Sequence, residues 1–426
     1  MSTTLIIFLI ITFGMMFIGL PAAFAMFSGA AYYFIANNIN MNAFIQNMLA
    51  GANSYTMLAV PLFILAASVM NGTGTTRKLF DFSEKLVGHL PGGICHVNIL
   101  TSVIFAGMSG SAVADTAGIG YMCCEEMRKR DYGDGFSNAL TITTSTIGPI
   151  IPPSIPMVIY ATFAEVSVGK LFIGGVFPGL IMAVAMSVYC ILISKSHNFP
   201  RMQKAGREAV WKAFLKSIPV LLEPVILLYC IYSGVCTPTE AAVICSLYGI
   251  LVGIFIEKDL SLKKFRAICV DVCRNVGVTL LVLIAASLFA NIISRENLPK
   301  YLIGIFQSMH LGKTGTFILI NVLFLILGCF LPQSAIQFAV VPIMIPIVSA
   351  AGINLVHFGV VIVLNMMLGM CTPPFGNLLF LISGLTGVSM KETVREVWPQ
   401  VGILIFVMLL CTVFEPLVMW LPNLMK

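Results

Sequence analysis

The sequence predicts an all-α polytopic membrane protein, built as an inverted repeat with two re-entrant helical hairpins and two discontinuous helices. Three observations predict this class: the apolar composition, an offset of 221 residues at which matching residues recur, and the placement of positive charge. Of the 426 residues, 58% are hydrophobic and 10% are charged, and the mean hydropathy is +0.98. Soluble domains carry about 25% charged residues, so a soluble fold is excluded.

Apolar runs long enough to cross a hydrocarbon core of about 30 Å recur along the whole chain. The first residues, MSTTLIIFLIITFGMMFIGLPAA, carry no positive charge ahead of the apolar run, so we interpret them as a retained segment rather than a cleaved signal. The twelve cysteines form no C-x-x-C pair, and most lie inside apolar runs. We interpret them as small packing residues rather than metal ligands or disulfide partners.

An internal repeat relates the two halves of the chain. The segments IGPIIPPSIP (147–156) and LGMCTPPFGN (368–377) are 221 residues apart. The same offset joins further residues: Gly107 with Gly328, Ala114 with Ala335, Lys170 with Lys391, and Pro178 with Pro399. We therefore predict a first repeat over 1–210 and a second over 211–426.

Each repeat is predicted to contain the same elements in the same order. Two short apolar stretches and a third crossing come first, followed by an interfacial helix, a hairpin with a tip of small residues, a broken crossing and a final crossing. The first repeat has 3–18, 21–36, 54–71, 75–90, 92–127, 137–164 and 169–194; the second has 217–233, 238–256, 274–293, 295–309, 313–350, 355–382 and 396–422. Segment 3–36 could instead be one kinked helix, but its counterpart in the second repeat favours two crossings.

Positive charge tests the inversion of the second repeat, which an odd number of crossings per repeat requires. Of the 24 Lys and Arg residues, all but five lie in segments that the topology assigns to the cytoplasm: 72–91, 125–136, 195–216, 257–274 and 383–395. The five external ones are Lys170, Arg295, Lys300, Lys313 and Lys426. The positive-inside rule is obeyed, and both termini are predicted to be periplasmic.

The two Pro-Pro segments and the two hairpin tips are predicted to meet near the membrane midplane. Proline ends helices, and unwound backbone at membrane depth is tolerated only where protein or a watery cavity satisfies it. Half-helix ends and freed carbonyls in transporters bind cations, while half-helix N-termini face anions. The flanking TITTST (141–146), Asn365, Thr372 and Asn377 supply hard oxygen donors that suit Na⁺. Simple bending of a Pro-kinked helix is the alternative, which four paired breaks disfavour.

Asp115 and Arg295 are the charged residues that could contact a substrate. Asp115 lies just past the first hairpin tip, and an intramembrane carboxylate is a functional candidate; alternatively it caps the returning half-helix. Arg295 ends a crossing on the side poor in positive charge, where it either extends to the headgroups or meets an arriving anion. Glu223, Glu240 and Glu415 are interpreted as structural.

Gly107-Met108-Ser109-Gly110 also matches G-x-S-G, the nucleophile turn of some intramembrane serine proteases. That chemistry needs a histidine within hydrogen-bond reach of the serine. The five histidines lie in or near loops or segment ends, and His96 is too near in the same hairpin to be well presented. A protease is therefore the weaker hypothesis, and no enzyme is predicted.

At GMSGSAVADTAG, GPIIPPSIP and GCFLPQSAIQFAVVPIMIPIVSAAGI the chain resembles the large membrane subunit of TRAP (tripartite ATP-independent periplasmic) transporters, over essentially its whole length. The resemblance implies a secondary transporter of the bacterial inner membrane that imports a carboxylate-bearing solute with Na⁺ as coupling ion. It implies two partners, a periplasmic binding protein and a small four-helix membrane subunit, besides the lipid bilayer. No nucleic-acid partner is expected. Sialic acid is the expected substrate class; a C4-dicarboxylate or a 2-keto acid is the alternative.

The resemblance also implies an elevator mechanism and two Na⁺ sites. The transport domain would comprise about 92–194 and 313–422, and the rest would form the scaffold. One Na⁺ site is expected at Ser109, Ser111, Gly148, Ile151 and Pro153, and the second at Gly328, Phe330, Pro332, Gly369, Thr372 and Pro374. Substrate contacts are expected from Asp115, Ser154, Asn377 and Arg295. Many family members carry an acidic residue near the second tip, where this chain has Pro332-Gln333.

Overall fold

The computed structural model describes residues 2–53, 55–197 and 199–425. Every regular element in these ranges is helical, and the two repeats contribute helices in the same order. The first repeat contains α1 (Thr3–Phe17), α2 (Ala22–Ala36), α3 (Met41–Ala52), α4 (Ala59–Gly72), α5 (Thr75–Val87), α6 (Ile94–Ser109), α7 (Ala112–Asp115), α8 (Tyr121–Lys129), α9 (Asp134–Ser145), α10 (Ile155–Ala164) and α11 (Val168–His197).

The second repeat contains α12 (Arg207–Tyr232), α13 (Pro238–Leu251), α14 (Leu262–Arg295), α15 (Leu298–Ser308), α16 (Lys313–Phe330), α17 (Gln333–Ala335), α18 (Val341–Ala350), α19 (Leu355–Cys371), α20 (Asn377–Thr386), α21 (Met390–Val413) and α22 (Pro416–Leu424). Helix α14 matches α3 and α4 together, and α21 with α22 matches α11. The other helices match one to one, which confirms the predicted fold class.

Seven single helices among the described residues are long and apolar enough to cross a membrane by length and composition: α11, α12, α13 with its π-helical extension to Ile256, α14, α16, the continuous arm Gln333–Ala350, and α21. Helices α4 and α5, which meet at 72°, would make an eighth span if taken as one. Several shorter apolar helices accompany them, including both halves of each broken crossing except α9. The chain is a multi-pass membrane protein.

The N-terminal segment 3–36 forms two helices rather than one kinked helix. Helices α1 and α2 fold back on each other, with Gly29 of α2 against Phe8 and Thr12 of α1. The rings of Phe8 and Tyr33 are 6.0 Å apart. The prediction of two separate segments is therefore confirmed.

The main differences from the prediction concern α12, which begins at Arg207 rather than at 217, and also α14, α3 and the final crossing. Residues 262–273, assigned to a loop, form the start of α14, because Ser261 Oγ caps it at Lys264 N (3.2 Å) and no Gly or Pro interrupts its first turns. Helix α3 was not predicted. The third crossing was expected to begin at residue 54, which lies outside the described residues. Lys426 lies outside them as well. The final crossing 396–422 is two helices, broken before Pro416, because proline cannot continue the α21 hydrogen-bond pattern.

The three glutamates interpreted as structural have different surroundings. Glu240 forms a capping box with Thr237 at the start of α13, and Glu415 pairs with Lys313 at 2.7 Å. Glu223 lies in the middle of α12, and its Oε2 has no hydrogen-bond partner among the described residues. The structural interpretation therefore accounts for two of the three.

The re-entrant hairpins share a detailed geometry. In each, the first arm ends at the tip and the returning arm begins with one short α-helical turn, a π-helical turn and a second α-helix. The π-helical turns, Thr116–Gly120 and Ile336–Val340, occupy matching positions in the two repeats. The broken crossings match as well: α9 and α10 flank residues 146–154, α19 and α20 flank 372–376, and each break contains a cis Pro-Pro bond.

Buried asparagines join each hairpin to the first half of its broken crossing. In the first repeat, Asn98 of α6 donates to Thr141 Oγ1 (2.9 Å) and accepts from Thr144 Oγ1 (3.1 Å) on α9. In the second, Asn365 of α19 donates to the backbone oxygen of Asn321 on α16 at 2.9 Å. The amide nitrogen of Asn365 therefore serves in helix packing, while its Oδ1, the atom that the sequence suggested as an ion ligand, is buried without a hydrogen-bond partner among the described residues.

Replacing Asn98 by leucine is expected to lower the free energy of unfolding by about 1–3 kcal/mol, because Thr141 and Thr144 lose buried partners. Thermal unfolding of the detergent-solubilised protein measures this effect. Asn423→Leu is the control, since Asn423 is exposed on α22. An Asn98→Leu protein as stable as this control would show that the asparagine does not hold the hairpin.

Candidate functional site

The first hairpin tip lies against the first break. Gly110 ends α6 with φ +57°, and a Cβ there would stand 3.1 Å from the carbonyl carbon of Pro153 and closer still to its oxygen. On the other side of the tip, a Cβ on Gly148 would stand 3.7 Å from the carbonyl carbon and oxygen of Ser111. Only glycine allows this approach at position 110, so the sequence dictates a backbone-to-backbone contact between tip and break.

The residues predicted for the first Na⁺ site come together at this contact. Ser109 Oγ is buried without a hydrogen-bond partner among the described residues, while Ser111 Oγ caps the returning arm at Ala114 N (3.3 Å). Ile151 lies in the same break but packs its side chain on Gly179 of α11, so only its backbone could face an ion. Hydroxyl and carbonyl oxygens at such a break suit a hard cation.

The second repeat brings its hairpin and break together differently. Gly328 of α16 and Gly369 of α19 pack backbone to backbone, since a Cβ on Gly369 would stand 2.8 Å from Gly328 Cα. Thr372 Oγ1 donates to Leu368 O (2.7 Å) and keeps its lone pairs for an acceptor role. The ring of Phe330 lies 6.4 Å from that of Phe375.

The remaining residues predicted for the second Na⁺ site belong to the tip and the break. Pro332 starts the returning arm, and Pro374 forms the cis bond of the break. Gly328, Gly369 and Asn377 line a narrow crevice together with Gln333. The oxygen atoms available to a cation at this place are therefore mainly backbone carbonyls, together with the Thr372 hydroxyl and the nearby side-chain amides.

A cavity of about 510 Å³ lies beside the two tips. Hairpins, first break and α10 form one wall, and α4 with α14 form the other. Its polar lining consists of hydroxyl and amide side chains: Ser68, Asn71, Ser109, Ser111, Asn275, Thr279, Gln333, Ser334 and Gln337. No charged side chain is among the described residues that line it. Its volume is within the range of about 300–1,000 Å³ typical of small-molecule sites.

None of the four residues predicted to contact substrate lines this cavity. Asp115 is fully buried behind the tip, where Ser102 Oγ donates to its Oδ1 at 3.3 Å and Oδ2 is unpartnered. It is also not the helix cap, which is Ser111. Ser154 Oγ caps α10 at Met157 N (3.2 Å), Asn377 lines the second crevice, and Arg295 ends α14.

The polar residues of α4 and α14 were not predicted from the sequence. Asn71 and Asn275 look like ordinary helix-end residues, and only the packing of α4 and α14 beside the tips brings them into the cavity. Gln333 and Gln337 had a signal, because both lie in the quoted segment GCFLPQSAIQ. Gln333 donates to Gln337 Oε1 at 3.1 Å, and Gln337 donates to Pro156 O, which links the second tip to the first broken crossing.

The geometry contradicts a serine-protease site at Ser109. Its hydroxyl has no hydrogen-bond partner among the described residues. His96 lies near the other end of α6, with Nε2 2.8 Å from Pro91 O. The two residues are thirteen positions apart on one helix, which corresponds to about 20 Å. No catalytic pair exists there.

Comparison with known proteins agrees with this architecture. Residues 9–417 match the family model of the tripartite ATP-independent periplasmic transporter, DctM component. The chain is 37% identical to the sialic acid TRAP transporter large permease protein SiaM of Vibrio cholerae over 96% of both chains. It is 35% identical to the sialic acid TRAP transporter permease protein SiaT of Haemophilus influenzae, over 100% of this chain and 69% of the relative.

A solved structure shares the fold. The crystal structure of the Alcanivorax borkumensis YdaH transporter superposes with a TM-score of 0.62 at 11% identity, over 89% of this chain and 88% of the other. At this identity the likeness concerns the fold alone. The family assignment rests on the family model and on the relatives, which are transporter permeases and match essentially the full length of this chain. The chain therefore belongs to the DctM component of the tripartite ATP-independent periplasmic (TRAP) transporters and is a membrane permease rather than an enzyme.

Proposed function

We propose that this permease imports a carboxylate-bearing sugar acid of the sialic acid class across the bacterial inner membrane, coupled to Na⁺. Support for the substrate class comes from the sialic acid permeases at 35–37% identity. The main alternatives are the substrates of other relatives: 2,3-diketo-L-gulonate at 34% identity and C4-dicarboxylates at 32%.

The observation that carries the proposal is the cavity between the hairpin tips and helices α4 and α14, lined by hydroxyls and amides. These groups can hydrogen-bond a polyhydroxylated acid, and Gln333 and Ser334 place the first turn of the returning arm at the cavity. The positive end of a helix dipole favours an anion there. Besides the helix dipole, positive charge near the substrate would come from the co-transported Na⁺. Substrate and ion would therefore be bound and released together.

Two Na⁺ ions are proposed to bind at the tip-to-break contacts. Ser109, whose hydroxyl is buried without a partner, Ser111 and the carbonyls of Gly148, Ile151 and Pro153 would hold the first. Thr372 with carbonyls near Gly328, Phe330, Pro332, Gly369 and Pro374 would hold the second. Both sites adjoin the cavity, so substrate and ions would stabilise the same closed arrangement of tips and breaks.

The charge distribution places α4's C-terminal end and α14's N-terminal end on the cytoplasmic side. Because Asn71, one residue from the C-terminal end of α4, lines the cavity, we infer that the structure represents the inward-facing state, with periplasmic termini. Helices α1 and α2 have 15 residues each, or about 23 Å, which is short for a bilayer of about 30 Å. Cover by a small membrane subunit would suit them, and a periplasmic binding protein would deliver the substrate.

Uptake of labelled acids into proteoliposomes tests the function. The permease is reconstituted with the small subunit, and the binding protein is added outside. We expect concentrative uptake of sialic acid that requires inward Na⁺ with an apparent order near two, and weak competition by C4-dicarboxylates. Uptake unchanged when choline replaces Na⁺, or full uptake without either partner, would contradict the proposal.

Ser109→Ala is expected to raise the Na⁺ concentration for half-maximal uptake about tenfold, which corresponds to about 1.4 kcal/mol of lost ion binding. The reason is that the hydroxyl would supply one of the few side-chain oxygens at the first site. Ser383→Ala is the matched control, since Ser383 Oγ is also buried and unpartnered but lies in α20. Equal Na⁺ dependence in both variants would remove Ser109 from the site.

A further inference from the structure

Two cysteines flank the connection between α12 and α13. Cys230 lies in the last turn of α12, and Cys236 follows six residues later, just before the helix cap Thr237. The backbone N–H of Cys236 donates to Cys230 O at 3.2 Å, and the two thiols lie within interaction distance. This bond holds the two backbones together at the end of α12, and a disulfide joins cysteines whose Cα atoms lie about 4.4–6.8 Å apart.

The connection lies on the face poor in positive charge. The opposite ends of α12 and α13 carry the basic segments 195–216 and 257–274, which the positive-inside rule assigns to the cytoplasm. The connection is exposed, with Tyr232 and Val235 at 55% and 71%, and Cys236 is half-buried. In the proposed orientation this face is the periplasm, where disulfides form and persist.

We propose that Cys230 and Cys236 form a disulfide that closes a seven-residue ring over the C-terminal end of α12. This inference rests on the proposed orientation and not on the substrate. All twelve cysteines are free thiols in the structure, and the proposal departs from their interpretation as packing residues for Cys230 and Cys236 alone. The link would fix the angle between α12 and α13, since Thr237 and Glu240 already hold the start of α13 in a capping box.

The reaction is a thiol–disulfide exchange with a disulfide-bearing oxidant of the periplasm. The half-buried Cys236 loses its proton, and its thiolate attacks the oxidant's disulfide, which forms a mixed disulfide and releases one thiol. Cys230 then loses its proton and attacks Cys236 Sγ, which releases the second thiol. Two protein thiols are oxidised, and the oxidant's disulfide is reduced to two thiols. Only Cys236 needs solvent access, which fits the burial of Cys230.

Differential alkylation tests the disulfide in the full-length protein in its native membrane. Cells are quenched in acid, and free thiols are blocked with N-ethylmaleimide in detergent. The protein is then reduced, labelled with an isotopic maleimide and analysed by peptide mass spectrometry. Cys269 and Cys273 on α14 form the control pair, because they are one helical turn apart near the cytoplasmic end and Cys273 is exposed.

We expect the ratio of second to first label at Cys230 and Cys236 to exceed that at Cys269 and Cys273 at least tenfold. In Cys230→Ser, or the reciprocal Cys236→Ser, the remaining cysteine should take the first label. Equal ratios at the two pairs, low or high, would overturn the proposal, as would a Cys236 that stays oxidised without Cys230. Labelling of Cys273 in spheroplasts by a membrane-impermeant maleimide would instead show that the orientation has failed.

Discussion

Gly110→Ala is expected to lower the initial rate of Na⁺-driven uptake at least 30-fold while leaving the protein in the membrane. Two effects combine at this residue. The left-handed backbone, with φ +57°, costs an alanine about 1–2 kcal/mol. The added Cβ would also collide with the carbonyl of Pro153, so the first tip would have to move away from the break. The carbonyls and hydroxyls proposed to hold Na⁺ would then separate.

A second glycine distinguishes the two effects. Gly352, after α18, has φ +70° but nothing within 4 Å of its ideal Cβ position. Gly352→Ala therefore carries the same backbone cost without the collision, and we expect uptake within about threefold of the natural protein. Size-exclusion profiles of both variants report folding. If Gly110→Ala transports as well as Gly352→Ala, the contact between tip and break is not needed for transport.

The sequence predicted the parts of this site that lie within one repeat. Proline and glycine act on the local backbone, so the breaks at Pro152-Pro153 and Pro373-Pro374 were visible directly, and the shared offset paired them. The convergence of tips and breaks followed from the assumption that breaks need partners at membrane depth, and the resemblance to TRAP permeases implied the individual residues Ser109, Ser111 and Gly148. These are short-range or symmetry-related features.

The wall formed by α4 and α14 depends on how helices from different repeats pack, which local sequence patterns do not encode. Asn71 and Asn275 come from helices in different repeats and line the cavity only because α4 and α14 pack together beside the tips. Asp115 was predicted to contact substrate because it is a charged residue near a tip. Its position on the helix instead directs its side chain toward Ser102 and away from the cavity. Helix boundaries such as the start of α14 were also missed, because apolarity marks the membrane-crossing part and not the whole helix.

Contacts between the repeats indicate which elements move together. Gln337 donates to Pro156 O, and Tyr160 Oη donates to Leu355 O at 2.7 Å. The first bond joins the second hairpin to the first broken crossing, and the second bond joins the two broken crossings. On the other side, Lys78 of α5 pairs with Glu257 at 2.6 Å, which fixes the interfacial helix to the end of α13. We therefore propose a transport domain of about 92–194 and 313–422 that moves against a scaffold.

The scaffold also holds the second interfacial helix. Glu296, just before α15, accepts hydrogen bonds from Ser2 Oγ and Tyr33 Oη, both at 2.6 Å. Each interfacial helix, α5 and α15, is thus bonded to scaffold residues near its N-terminal end, where it follows a scaffold helix. A scaffold anchored in this way resists sliding through the bilayer while the transport domain moves.

Paired spin labels are expected to show Ser111 and Thr372 travelling together relative to Trp211. Labels at Val113 and Phe375 report the first tip and the second break, because these side chains are 45% and 56% exposed. Between Na⁺-free and Na⁺-plus-substrate conditions, both distances to a label at Trp211 should change by more than about 5 Å, one helical turn. The distance between these two labels should stay constant, because both lie on one rigid body.

A pair inside the scaffold supplies the control. Trp211 on α12 and Val278 on α14 are 60% and 65% exposed, and their separation should not change in any condition. Symmetry explains why motion of one rigid body is expected: inverted repeats make the inward and outward states near mirror images, so a fixed site can pass from one face to the other. Constant distances from Val113 and Phe375 to Trp211, with a change only in the distance between Val113 and Phe375, would mean that the site stays in place. The hairpins would then act as two gates, and the elevator would be wrong.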